Sequence, residues 1–199
     1  FDRYLQSDPA DPATAYFYSA LAHRFGGHYD QAMLFFNRII NQFPDHLYWA
    51  KSWEEKGFTE WYYLDDYPAA QNTLLTFAQS YPTHPKATDF LFDAARVAER
   101  AGELSRAAEL WRDLALEYPV DDRASESLFL SSISLYRLND YNSALQGFKQ
   151  TLTISTSLEE RARPNFSIGK ALFALGETAA ANQIWSDAAS IDPTGYYSE

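Results

Sequence analysis

The sequence predicts an all-α fold, a solenoid of about five antiparallel helical hairpins, and three observations carry that prediction. The first is a recurring frame. Within Asn165 to Pro193 it is Gly176, Ala181, Trp185 and Pro193, and upstream it is Gly102, Ala107, Trp111, Pro119 and Gly27, Ala32, Phe36, Pro44. With substitutions it returns as Asp65, Ala70, Leu74, Pro82 and as Asn139, Ala144, Phe148, Thr156. The alanines stand at 32, 70, 107, 144 and 181, steps of 38, 37, 37 and 37. A fixed period of this size marks stacked units, none of which buries its apolar face alone. The second observation is chemical. Gly27, Asp65, Gly102, Asn139 and Gly176 share one offset, and Gly, Asn and Asp enter the left-handed conformation at a helix C-terminus at least cost. The third is a small residue twelve before the frame alanine in four units: Ala20, Ala95, Ser132 and Gly169. Such residues let two helices approach closely, while the large residue four after the alanine fills the remaining gap.

Residues 1–12 read as the end of a preceding repeat, because Phe1 to Pro9 repeats the aromatic-to-proline spacing of eight. Asp11-Pro12 is an N-cap followed by proline in the first turn, where its missing N–H costs nothing. The first unit, 13–45, places helix A from about Ala13 to Phe25 and helix B over Tyr29 to Gln42. The second, 46–83, carries the extra residue behind the step of 38. Trp53 and Gly57 look like the packing positions of its helix A, one residue early, and its helix B spans Tyr67 to Ser80. The third, 84–121, reads Lys86 to Ala101 and Leu104 to Tyr118. The fourth, 122–156, reads Arg123 to Leu138 and Tyr141 to Ile154, and lacks a closing proline. The fifth, 157–193, opens with Ser157 and Glu160, a capping-box spacing, and places Pro164 near the start of its first helix, where the ring is tolerated. Residues 194–199 read as the start of a further helix. No strand pattern competes.

Composition narrows the function classes. The chain has 199 residues, 46% hydrophobic and 17% aromatic, with a formal net charge of -11. Phosphate-backbone binding relies on a clustered excess of Lys and Arg, so a nucleic-acid partner is not expected. There is no cysteine, which excludes disulfides and thiolate metal sites. No apolar run approaches the roughly 20 residues of a membrane span, so membrane insertion is not expected. The chain starts at Phe1 without a methionine and is read as part of something longer.

Chemistry-bearing residues read mostly as structure. His23, His28, His46 and His84 lack metal-ligand spacing; His23 falls at a packing position and the others near turns. The pairs Asp65-Asp66, Asp121-Asp122 and Glu159-Glu160 lie at helix ends, where carboxylates suit capping and the helix dipole. Neither a phosphate-cradling glycine loop nor a nucleophile elbow is present. No cofactor and no metal are predicted.

Helix–turn–helix units with these small, aromatic and proline positions resemble tetratricopeptide (TPR) repeats, although the step of 37 exceeds the usual length of about 34. The resemblance covers nearly the whole chain and implies a right-handed superhelix whose concave surface is lined by helix A. The endings Tyr81-Pro82 and Tyr118-Pro119 resemble TPR units of bacterial cell-envelope proteins. A narrower resemblance lies at the C-terminus: Arg161-Ala162-Arg163, Gly169-Lys170-Ala171, Ile184-Trp185 and Asp192 to Glu199 (DPTGYYSE) look like the end of the α-superhelical domain of soluble lytic murein transglycosylases. In that family the helical domain precedes a lysozyme-like domain that cleaves peptidoglycan through a glutamate. Glu126-Ser127-Leu128-Phe129 matches the start of that family's catalytic motif, but the chain continues SSISLYRLND instead of a Gly-rich segment. It is read as a chance match inside helix A.

The candidate ligand face follows from the resemblance. Fifteen residues before each frame alanine stand Phe17, Glu55, Phe92, Phe129 and Phe166. Positions three, four, seven and eight further on share that helix face and include Arg24, Arg96, Arg100, Tyr136, Arg137, Lys170 and Phe173. The expected concave site is Phe17, Arg24, Phe92, Arg96, Arg100, Phe129, Tyr136, Arg137, Phe166 and Lys170, partly exposed and continuous. The competing expectation is that the phenylalanines pack between neighbouring A helices. The chain is thus expected to be a non-catalytic, extracytoplasmic scaffold binding a protein or peptide, or a peptidoglycan glycan strand. The alternative is a stand-alone envelope adaptor for an extended peptide.

Overall fold

Ten α-helices and no strand make up the described residues, 10–191, of a computed structural model. The expected end of a preceding repeat in residues 1–9, the closing Pro193 and the further helix at 194–199 lie outside them. The helices pair as expected: α1 (Pro12–Phe25) with α2 (Tyr29–Gln42), α3 (Trp49–Tyr63) with α4 (Tyr67–Ser80), and α5 (Ala87–Arg100) before α6 (Leu104–Glu117). Then come α7 (Ala124–Arg137), α8 (Tyr141–Ile154), α9 (Leu158–Ala174) and α10 (Thr178–Ile191).

All five turn residues take the left-handed conformation: φ is 76° at Gly27, 52° at Asp65, 82° at Gly102, 63° at Asn139 and 85° at Gly176. In four hairpins the turn closes by one N–H reaching back five residues, as His28 to the His23 carbonyl, Glu103 to Ala98, Asp140 to Leu135 and Glu177 to Leu172. That is the 6→1 bond of a Schellman motif. The second hairpin differs. Leu64 N–H reaches back five residues to Thr59, and Asp66 N–H reaches six, to Glu60. The extra residue of this unit is therefore absorbed as one wide, π-type turn at the end of α3.

Glycine positions settle the register of that helix. A Cβ on Gly57 would lie 3.1 Å from Leu74 Cδ2, so Gly57 is the small residue facing the large residue four after the frame alanine. The same pairing holds in the fifth unit, where a Cβ on Gly169 would run into the Trp185 indole. Counted from Gly57, the counterpart of Phe17 in the second unit is Glu54; counting back from Ala70 had assigned Glu55.

Units are joined by a turn that uses one polar residue two after the proline. Asp121 Oδ1 accepts the Arg123 N–H at 2.9 Å, and the Nδ1 atoms of His46 and His84 accept the Tyr48 and Lys86 N–H groups at 3.2 and 3.1 Å. The histidines thus do the work of an aspartate in an Asx-turn. The fifth unit caps its first helix with the expected box, Ser157 Oγ accepting from Glu160 N and the Glu160 carboxylate accepting from Ser157 N. One expectation is corrected here. Pro164 lies inside α9, not at its start, because the cap sets the first turn six residues earlier. The carbonyl of Glu160, which the proline cannot serve, accepts the Ser155 hydroxyl at 3.3 Å instead.

Two compact units are distinguished, dividing between Val97 and Ala98. In the first, Phe17, Ala20, Ala32, Phe35, Phe36 and Ile39 form a core packed by Tyr16, Leu21 and Tyr48. In the second, Phe129, Ala144, Leu145, Phe148, Ile168, Ala171, Leu172 and Ala181 do so, with Ile184 and Trp185 against them.

Candidate functional site

In the second unit, successive A helices α7 and α9 bring four of the expected residues together. Phe166 and Lys170 are one turn apart on α9, and Tyr136 ends α7. The Lys170 ammonium lies 5.5 Å from the Tyr136 ring centre and 5.7 Å from that of Phe166. Arg137 is exposed and pairs with Glu99 at 2.5 Å. A residue outside the expected set completes the patch. The Arg163 guanidinium lies 4.0 Å over the Phe129 ring, one turn before Phe166 on the same face of α9. Its signal was available: helical spacing runs backwards from the phenylalanine slot as well as forwards. Among the side chains described, which do not include that of Glu159, no carboxylate pairs with Arg163 or Lys170. Both cations rest on ring faces, a contact worth about 0.5–1 kcal/mol at exposed sites.

In the first unit the same kind of residues is spent internally. Phe17 and Phe92, like Phe129 in the second, are only 5% exposed. The expectation that these three stand partly open is overturned; they are packing residues between helices, Phe17 stacking on Tyr48 at 4.2 Å. Arg24 is also interior, 6% exposed, with Glu55 at 2.6 Å, Thr59 Oγ1 at 3.4 Å and the rings of Phe25, Phe58 and Tyr63 within 6 Å. Nearby surface charges pair among themselves: Lys51 with Glu54 and Glu55, Lys86 with Glu54 and Asp89, and Arg96 with Asp93 at 3.7 Å. Arg100 is exposed at the end of α5. Phe92 and Arg96 belong to the first unit and the remainder from Arg100 onward to the second, so the candidate cluster of cations on rings is that of the second unit.

Two family models match, both for the tetratricopeptide repeat, over residues 14–46 and 60–126. The chain is a TPR solenoid. Its fold is that of solved TPR structures at low identity. The nearly identical TPR-like repeats of a Podosopora anserina kinesin light chain match at TM-score 0.62 and 14% identity, over 92% of this chain and 97% of that one. MamA residues 41 to the end from Desulfovibrio magneticus RS-1 match at 0.62 and 12%, over 94% and 98%. A TPR protein from Parabacteroides merdae matches at 0.62 and 16%, over 92% and 67%. No curated protein matches significantly. At these identities the likeness is one of fold.

The TPR frame places the remaining candidates. Glu126 is an exposed residue in the first turn of α7. Among the described residues no group of three or more His, Asp and Glu side chains is placed to hold a metal ion, and no helix is long and apolar enough to cross a membrane.

Proposed function

We propose that this TPR solenoid is a non-catalytic binding scaffold whose second unit takes an anionic segment of a partner on the A-helix face formed by Tyr136, Arg163, Phe166 and Lys170. One observation carries the reading. In a chain of net charge -11, two cations two turns apart on α9 rest on aromatic rings with no carboxylate partner among the side chains described. An arginine fork and an ammonium so placed suit carboxylates, and the exposed faces of Phe166 and Phe173 suit apolar side chains or sugar rings.

The parent is a bacterial cell-envelope protein of the lytic transglycosylase type, and the chain works outside the cytoplasm. Supporting this are the Tyr-Pro unit ends and the C-terminal motifs Arg161-Ala162-Arg163 and Gly169-Lys170-Ala171. Peptidoglycan supplies both ligand chemistries, in its saccharides and its lactyl and stem-peptide carboxylates. The second reading is a stand-alone adaptor for an extended peptide, supported by the tetratricopeptide-repeat models over residues 14–46 and 60–126.

Calorimetric titration of muropeptides and of an acidic octapeptide tests the site. Binding to either should be saturable, weaken with salt and fall tenfold or more in Arg163→Ala/Lys170→Ala. Equal binding by parent and double variant refutes it. A lysozyme-like domain with its catalytic glutamate elsewhere in the parent protein supports the transglycosylase reading, and its absence supports the adaptor.

A further inference from the structure

The wide turn ending α3 carries a second surface, of opposite character, in the first unit. The segment Gly57 to Leu64 (GFTEWYYL) holds four aromatic residues in eight. Phe58 is shared between two partners: the Arg24 guanidinium lies 5.3 Å from its ring centre, and Tyr62 stacks on it at 5.0 Å with 13° between the planes. Phe25 is also within reach of Arg24, at 5.7 Å. Tyr62 and Phe25 then face outward, 57% and 76% exposed, beside the exposed Leu64.

This exposure is not needed for the fold. The other four hairpins close their turns without the extra residue, so the widened turn and the aromatic run it presents are particular to this unit. The local charge is negative: Asp65 and Asp66 are both exposed at the turn, Asp66 also capping α4 by accepting the Ala69 N–H at 3.0 Å. The rings already hold one guanidinium, that of Arg24.

From these observations we propose that Tyr62 and Phe25 form a docking surface for an arginine-bearing basic segment of a partner protein. The partner's guanidinium stacks on the outward ring of Tyr62, extending the array that begins at Arg24 and Phe58. Its remaining donors turn toward Asp65 and Asp66. Planar guanidinium stacks on aromatic faces better than ammonium, so the surface prefers arginine to lysine. The surface is separate from the cationic patch of the second unit, and neither proposal depends on the other.

The test uses the whole chain, observed by heteronuclear NMR and titrated at near-physiological salt with four probes: Ac-(Arg-Gly)4-NH2, Ac-(Lys-Gly)4-NH2, Ac-(Glu-Gly)4-NH2 and chitotriose. The arginine peptide should give saturable shifts centred on Phe25, Phe58 and Tyr62, with the lysine peptide at least fivefold weaker. Phe25→Ala/Tyr62→Ala, both exposed positions, should leave the thermal unfolding midpoint nearly unchanged and weaken arginine binding at least tenfold. Undiminished binding in that variant, equal affinity for the lysine peptide, or saturation of the patch by the glutamate peptide or by chitotriose would each overturn the proposal. The last would make the surface a glycan platform. Should the double variant unfold, Tyr62→Leu keeps a bulky apolar side chain and removes the ring, and arginine binding that survives it is equally decisive against the idea.

Discussion

The two units solve the same problem, an arginine or lysine on the A-helix face, in opposite ways. In the first, Arg24 is drawn inside, ion-paired with Glu55 and roofed by rings. In the second, Arg163 and Lys170 rest on Phe129, Tyr136 and Phe166 with no carboxylate, among the side chains described, to pair with them. The difference comes from Glu55. The second repeat has a carboxylate one residue beyond the slot that holds phenylalanine elsewhere, and it lies within reach of the preceding A helix. A cation so neutralised serves the fold. One held by a ring face keeps its charge available to a ligand.

Removing Arg24 should give the largest effect. Arg24→Met leaves Glu55 with only the more exposed Lys51 as a partner and removes a buried charge-assisted hydrogen bond, which should cost about 1.5–3 kcal/mol, read as a shift of the urea midpoint. Adding Glu55→Leu should recover much of that loss, because an apolar pair of similar volume is tolerated where a lone charge is not. A double variant no more stable than the single one would show that the pair acts through packing alone.

Next comes the small-residue position, the same in both units but facing different partners. Gly169→Ala drives a methyl into the Trp185 ring, a rigid plate whose indole N–H is held by the Phe166 carbonyl at 3.1 Å. Overpacking of that kind costs about 1–3 kcal/mol. Gly57→Ala meets Leu74 Cδ2 at 3.1 Å and Cγ at 3.2 Å, an overlap that a shift of a few tenths of an ångström relieves, so its cost should be smaller in the same denaturant titration. The reverse order would mean that the wide turn of α3 makes the first unit the stiffer one.

Lys170→Ala and Arg163→Ala should each cost less than about 1 kcal/mol of stability, while weakening ligand binding as described above. A large stability loss at either would make the cation a structural element, as Arg24 is, and would remove the contrast between the units.

The smallest effect is a pH dependence at the start of α9. Backbone hydrogen bonds from Thr156 and then Ser157 hold the Glu160 carboxyl below the usual carboxylate range. A depressed folded-state pKa stabilises above the unfolded value and is lost as pH falls through the folded one. The midpoint of unfolding should therefore drop, as pH falls from the ordinary glutamate value of 4.5 through the lowered folded-state value, more in the parent than in Glu160→Gln, whose amide keeps the box. Parallel pH profiles would show that the box contributes nothing through its charge.

Much of this molecule is local and therefore legible in one dimension. The residue types at Gly27, Asp65, Gly102, Asn139 and Gly176 dictate left-handed turns because steric cost at φ > 0 is a property of the residue itself. Helix limits follow from Asp11, Asp66, Asp140 and Ser157, whose side chains cap the backbone within three residues. The frame alanine and its large neighbour report hairpin packing because that contact recurs at a fixed spacing. The candidate site was legible only in part. Helical spacing put Phe129, Phe166 and Lys170 on one face, but a face one residue wide borders both the core and the solvent, and the pattern cannot say on which side a ring falls. Tertiary structure decided that Phe17, Phe92 and Phe129 are interior and Phe166 is not. It also decided which cations are spent. Arg24 meets Glu55 and Arg137 meets Glu99 across 31 and 38 residues of chain, and a Coulomb contact depends on that distance in space, which no local pattern encodes.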